Sequence, residues 1–362
     1  MVSERDTART STREMRSSAG LLALLALPRV GPQTALRAAI TADPDTVGVG
    51  LASAWRAQMD AAGEQIDRYT AAGVQLVSFF DDRYPARLRL IHQPPPLLFV
   101  RGSLDAVSAP RAAAVIGTRE PTSFGVSAAE EITRALAQAS WIVVSGLAKG
   151  IDTLAHGAAL KHHARTVAVM GGGLDRVYPA ENGELAAAIV DQGGALVSEH
   201  PFGVRPRAGN LIARNRLQTG LSVALIVAQT GVQGGSMHTV RHAASQGRPV
   251  FAAQPHSAHR QSEGLNVLLK LPAKDLCGRV PAWKGASALC ARLGSRPLAQ
   301  PVLKGHLDGL LDALERTLHD TAPSPGAPRE LGVGARDPRQ GSGAAKIPSP
   351  GADSALALSF AD

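Results

Sequence analysis

Residues 141–152 read WIVVSGLAKGID: an apolar run, an abrupt Ser145-Gly146, then Lys149 boxed between small residues where a helical pattern begins. A short β-rich run that ends on glycine and passes into a helix is one strand-turn-helix unit. The same grammar recurs in AAAVIG (112–117), RTVAVMGG (165–172), GALVSE (194–199), SVALIVAQ (222–229) and RPVFAAQ (248–254). Strands that read as continuous apolar runs, separated by helices, predict an α/β fold with a parallel sheet covered on both faces, over residues 111–275.

The surroundings of this region read differently. Residues 1–18 have the composition of a disordered leader, and 19–80 carry helical spacing broken by LPRVGP (27–32), as a small helical domain would. The proline run in 81–110 predicts an extended connector, because each proline disfavours the helical region for the residue before it. Residues 276–320 are partly helical, with one clear amphipathic repeat in GHLDGLLDALERTLHD (305–320). The Pro, Gly and Ser content of 321–362 predicts a disordered tail.

In an open parallel sheet, ligands bind outside the carboxyl ends of the strands. The residues there are Gly117-Thr118-Arg119, Ser145-Gly146 with Lys149-Gly150, Gly171-Gly172-Gly173, and Gly234-Gly235-Ser236. Glycine admits close backbone approach, and the helix that follows turns its free N–H groups toward the same spot, which is phosphate-binding chemistry. A second basic concentration, RPRAGNLIARNRLQTG (205–220), holds Arg205, Arg207, Arg214 and Arg216, with Asn215 placed to fix a turn or bond a phosphate. The formal charge of +8 favours an anionic partner.

Several chemistries are disfavoured. GGGLDR lacks the glycine spacing of a dinucleotide fingerprint, no triphosphate-binding loop is present, and no Gly-x-Ser-x-Gly elbow surrounds Ser145 or Ser236. His238 and His242 have the spacing of a metal pair, but without the glutamate of a zincin they read as surface histidines. Neither cofactor, metal nor catalytic residue is expected. Cys277 and Cys290 offer no disulfide framework and no zinc-ligand spacing, so a reducing cytoplasm is the expected compartment. The longest apolar run, LLALLALP (21–28), is too short for a membrane span.

Taken together, VIGTREPTSFG (115–125), VVSGLAKGIDTLAHGAAL (143–160), TVAVMGGGLDRVYPAEN (166–182), LVSEHPFG (196–203), RNRLQTGLS (214–222), GGSMHTVRHAASQGRPVFA (234–252) and SEGLNVLLK (262–270) resemble the DprA/Smf family of DNA-processing proteins. The resemblance implies a Rossmann-like doubly wound sheet preceded by a small helical (SAM-like) domain. It also implies a non-catalytic, single-stranded DNA-binding recombination mediator that protects incoming DNA and assists RecA loading in natural transformation. Single-stranded DNA, RecA recombinase and a second copy of the chain are the implied partners. Carried over by motif, the DNA-binding set is Gly117, Thr118, Arg119, Ser145, Gly146, Lys149, Gly150, Gly172, Arg214, Asn215, Arg216, Gly235 and Ser236.

The chain departs from the family pattern on the same edge. Leu211 stands where a phenylalanine is common, Gln229 where an acidic residue is usual, and QPHSAHRQ (254–261) replaces a Pro-Gly turn. Two other readings therefore stay open: a nucleotide-binding, lysine-decarboxylase-like enzyme, and a nucleotide-sensing module. The enzyme would need a positioned acid or base after GGSMHT (234–239), where no carboxylate follows.

Overall fold

A computed structural model describes residues 12–43, 51–256 and 259–321. The described residues belong to one compact unit that ends at Thr321. After a short helical stretch at residues 12–16 come α1 (Ser18–Ala26), α2 (Pro32–Thr41) and α3 (Leu51–Ala71). Pro32 opens α2, where its missing N–H is an orphan in any case, and the Ser17 hydroxyl caps α1 by accepting from the Gly20 N–H at 3.1 Å. Leu21, Leu24 and Trp55 are buried among them, and the Trp55 indole donates to the Gly20 carbonyl at 3.0 Å.

The sheet follows, built from β1 (Val74–Ser78), β2 (Leu97–Gly102), β3 (Ala112–Gly117), β4 (Ile142–Ser145), β5 (Thr166–Val169), β6 (Ala195–Ser198), β7 (Leu225–Gln229), β8 (Val250–Ala253) and β9 (Ala299–Val302). Its order is β1-β2-β6-β5-β4-β3-β7-β8-β9. All pairings from β6 to β9 are parallel, and β2 joins β6 antiparallel, as β1 joins β2. Strands β4 to β8 are buried along their whole length, as their unbroken apolar runs require.

The crossover helices are α6 (Ser123–Gln138), α7 (Ile151–Lys161), α8 (Gly183–Asp191), α9 (Ala208–Gly220), α10 (Ser236–Ser245) and α11 (Glu263–Lys270). Short helices α4 (Ala86–Arg89) and α5 (Leu104–Val107) flank β2; α12 (Leu276–Arg279), α13 (Ser287–Leu293) and α14 (Asp308–Thr321) close the unit. This is the Rossmann-like arrangement, and the strand order reverses between β3 and β7, which makes that crevice the topological switch point.

Four features differ from the sequence reading. The sheet is mixed, because VQLVS and LLFVRG, assigned to the helical domain and the connector, pair with each other and with β6. Their apolar residues complete the same core: Phe99 packs with Tyr69 of α3 at a ring separation of 5.0 Å. Residues 12–18, placed in the leader, are ordered because Met15 is fully buried and the Arg16 guanidinium donates to the Ala39 and Ile40 carbonyls, both at 3.0 Å. The expectations for residues 1–11 and 322–362 lie outside the described residues.

In the C-terminal part, β9 extends the sheet beside β8. The two cysteines, read as unpaired, form a Cys277–Cys290 disulfide. The 3-10 turn at Pro281–Trp283 folds α13 back toward α12 and brings the two Cα atoms to 6.4 Å, a proximity that sequence separation does not reveal. No described helix is long and apolar enough to cross a membrane.

Candidate functional site

The turn after β4 is organised by Asp152 in the first turn of α7. One of its carboxylate oxygens accepts from the Gly146 N–H at 3.1 Å and the Ala148 N–H at 3.3 Å. The carboxylate is fully enclosed: desolvation pushes its pKa up, while Arg214 and those N–H groups pull it back. To close this turn, buried Leu147 adopts φ 56°, a left-handed conformation that a leucine tolerates only where its surroundings impose it. Gly150, at φ 80°, admits the turn after β3: a Cβ there would stand 2.4 Å from the Thr118 carbonyl. That carbonyl accepts from the Ile151 N–H at 3.1 Å, and the Thr118 N–H donates to the Gln229 carbonyl at 2.7 Å. The turns following β3, β4 and β7 are thus bolted together.

Helix α9 carries the Arg-Asn-Arg group, and the structure turns most of it inward. The Arg214 guanidinium is buried and donates through Nη1 to the Gly146 carbonyl at 2.7 Å and to the Val169 carbonyl, so it clamps the ends of β4 and β5. Burial lowers its pKa to about 10, which leaves it charged at neutral pH. Asn215 is buried as well. Arg216 forms a two-pronged pair with Glu199 at 2.7 and 2.6 Å, with side-chain exposures of 12% and 7%, and its Nε donates to the Gln93 carbonyl at 3.2 Å.

Ser145 is likewise internal, its hydroxyl donating to the Val115 carbonyl at 2.7 Å. Ser236 is buried and shares a hydrogen bond with the Thr230 hydroxyl at 2.6 Å, next to Gly235 at the start of α10. Gly117 packs against Ile151, and Gly172 offers its carbonyl to the Ser198 hydroxyl at 2.7 Å. Ser145, Arg214, Asn215 and Ser236 therefore lie buried within the edge, and Arg216 is largely buried beside them.

What does face solvent is a second set. Arg119, Lys149, Arg205 and Arg207 are exposed on the loops beyond the strand ends, joined by Arg176 and Arg260. Lys149 is paired with Glu181 at 2.8 Å, a pair exposed on both sides that solvent screens and an incoming phosphate can open. Arg176, Tyr178 and Arg260 had not been singled out from the sequence. For the first two, the signal was the DRVYP turn (175–179) directly beyond the β5 glycines, where a polar and aromatic pair has no core to serve.

Two of the departures acquire a physical account. The Gln229 side chain accepts from the Thr122 N–H at 2.9 Å and donates to the Thr122 hydroxyl at 2.8 Å and to the Ser262 hydroxyl at 2.9 Å. An amide can donate and accept at once, whereas an ionised carboxylate could not donate. Leu211 sits over Gly171, where a Cβ would come within 2.7 Å of its Cδ2, so this position fills the gap above the glycine loop. Among the described residues, no three His, Cys, Asp or Glu side chains are grouped to hold a metal.

Residues 75–280 match the family model described as DNA recombination-mediator protein A. The DNA processing protein DprA of Bacillus subtilis (strain 168) is 37% identical over 184 residues, covering 51% of this chain, and the chain spans 62% of that relative's length. The structure of DNA processing protein A from Streptococcus pneumoniae superposes with a TM-score of 0.61 at 30% identity, covering 70% of this chain and 92% of that one. The DNA processing protein A of Helicobacter pylori, whose structure was solved for its single-stranded DNA binding mode, superposes with a TM-score of 0.53 at 25% identity, covering 67% and 96%.

Proposed function

Because the chain belongs to the DNA recombination-mediator protein A family, we propose that it binds single-stranded DNA along the carboxyl edge of its parallel sheet and acts as a recombination mediator. In this reading the protein is a binding protein without turnover, working in the cytoplasm as a homodimer. It protects incoming DNA and assists RecA loading in natural transformation.

The observation that carries the reading is the row of exposed cations, Arg119, Lys149, Arg176, Arg205 and Arg207, on loops that converge beyond the strand ends. A spaced line of charges suits a chain of phosphates better than one small ligand. The glycine turns beneath it keep the backbone low, so that a strand can lie close to the sheet. The buried clamp of Arg214 and the Arg216–Glu199 pair hold the loops in place. Gly117, Thr118, Gly150 and Gly235 border the proposed interface, Gly146 and Gly172 lie buried beneath it, and Arg119 and Lys149 enter it as charge.

The test is a fluorescence-anisotropy titration of labelled oligothymidylate across a series of salt concentrations, with duplex DNA and free nucleotides as competitors. Log affinity should fall against log salt by about 0.7 per phosphate neutralised. Lys149→Ala should weaken binding and shrink that slope by about one unit. Tight binding of a free nucleotide with none of oligonucleotides would support the nucleotide-sensing alternative, and release of free base from nucleoside monophosphates would support the enzyme. RecA loading is tested separately, by RecA filament assembly on strands coated with single-strand-binding protein, with and without this protein.

A further inference from the structure

Large apolar side chains are exposed at three described positions: Leu90 at 77%, Tyr178 at 46% and Ile212 at 39%. Tyr178 is the aromatic one of these; the others are aliphatic. Every other described Phe, Tyr or Trp ring is buried or half-buried, so the placement of this one outside the core calls for a reason. It stands between Arg176 and Glu181 in the loop that leaves β5, on the same edge as the exposed cations.

Its surroundings are built. The Asn182 side chain, itself buried, donates to the Leu147 carbonyl at 2.8 Å and to the Thr153 hydroxyl at 2.9 Å, tying the Tyr178 loop to the Lys149 turn. Glu181 reaches Lys149 directly at 2.8 Å, and Asp175 accepts from the Gly203 N–H at 3.0 Å, which fixes the other end of the loop. The Lys149 ammonium is held above its ordinary pKa first by the Glu181 hydrogen bond and charge, and Tyr178 adds in the same direction, so the phenol lies within electrostatic reach of it. An exposed aromatic ring therefore stands near a cation, on a loop whose flanks are pinned.

This arrangement has the two parts that a strand of unpaired nucleotides needs: an exposed π-surface for a base, and cations on the same loop and on the neighbouring turn for its phosphates. It also answers the departure at position 211, where an aliphatic side chain is folded down on Gly171 and presents no ring. Resting on the single-stranded DNA reading, we propose that Tyr178 is a base-stacking platform: one nucleobase lies on its ring while Lys149 and Arg176 take the phosphates on either side. A stack of this kind tolerates any base, because every base has a π-face. It discriminates strongly, however, against a strand that has none.

The experiment compares oligothymidylate with an abasic deoxyribose-phosphate strand of the same length, using the full chain and its Tyr178→Ala and Tyr178→Phe variants. Tyr178→Ala should bind oligothymidylate about five- to one-hundred-fold more weakly with an unchanged salt slope, and the abasic strand as the parent does. Tyr178→Phe should keep most of the affinity, since the ring carries the stack. Equal losses on both strands, or no loss on oligothymidylate, would overturn the proposal. Failure of the parent protein to bind oligothymidylate would overturn the DNA reading itself, and the stacking role with it. Because the side chain is exposed, unchanged melting of the variants confirms that affinity and not folding is being read.

Discussion

Arg214 separates two roles for the arginine-rich helix, and Arg214→Met is the perturbation that tells them apart. In the structure its guanidinium touches the Gly146 and Val169 carbonyls and faces the enclosed Asp152 carboxylate. Methionine keeps much of the apolar volume and deletes the donors. Two buried carbonyls lose a charged partner and one buried carboxylate loses its counter-charge, a class of loss that costs about 3–5 kcal/mol. For a chain of this size, melting shifts by roughly 2 °C per kcal/mol, so a fall on the order of 6–10 °C is expected in thermal unfolding followed by circular dichroism.

The pH dependence sharpens the test. Asp152 already has a pKa raised above 3.8 by burial, and removing Arg214 raises it further. An acid whose folded pKa exceeds its unfolded value takes up its proton first in the folded state, so stability is lost as pH rises through that window and regained as pH falls. The deficit of Arg214→Met should therefore narrow on acidification toward 3.8. Its DNA salt slope should match the parent's, because Arg214 meets no phosphate. Melting within about 2 °C of the parent, together with a salt slope smaller by about one unit, would refute the internal role and return Arg214 to the DNA surface.

Three further outcomes follow from the geometry. His156 is fully buried against Thr166 at 2.7 Å, and desolvation followed by Arg214 lowers its pKa from 6.5 to about 3; stability should be complete above 6.5 and drain away as pH falls toward 3, with a flatter melting profile in His156→Gln. An identical acid profile in parent and variant would exclude His156 as the cause. Gly150→Ala places a Cβ 2.4 Å from the Thr118 carbonyl at a φ of 80°, which should lower the denaturant midpoint by the equivalent of about 2 kcal/mol or more and displace the Arg119 turn; an unchanged midpoint would contradict the close approach. Glu199→Gln leaves the Arg216 guanidinium largely buried without its counter-charge, and urea unfolding should register a loss of about 3 kcal/mol; a loss near zero would mean that solvent reaches the pair.

The parallel sheet was legible because its strands are buried on both faces and so must be apolar without interruption, a pattern visible in a linear string. The edge strands obey a weaker rule. In β1 and β9 the burial alternates or is broken, and LLFVRG follows a proline run that reads as extended chain whether or not it finds a partner. Only the antiparallel ladder to β6 makes it a strand of this sheet. The glycine turns were also readable, since sheet topology alone puts them at one edge.

The four arginines between 205 and 216 are chemically equivalent as letters. Their fates depend on where the chain places them: Arg205 and Arg207 precede α9 in the loop after β6 and are exposed, while Arg214 and Arg216, within the helix, are used up by the carbonyls closing β4 and β5 and by Glu199. The cysteine pair has the same origin, since a turn between two short helices sets the 6.4 Å separation. By itself the sequence determined the α/β class, the edge at which the glycine turns gather and the sign of the net charge, because periodicity, glycine and net charge are local or additive quantities. Tertiary structure alone decided which cations reach solvent, which aromatic ring is left in solvent and which thiols meet, because each of these depends on long-range contacts that no spacing rule encodes.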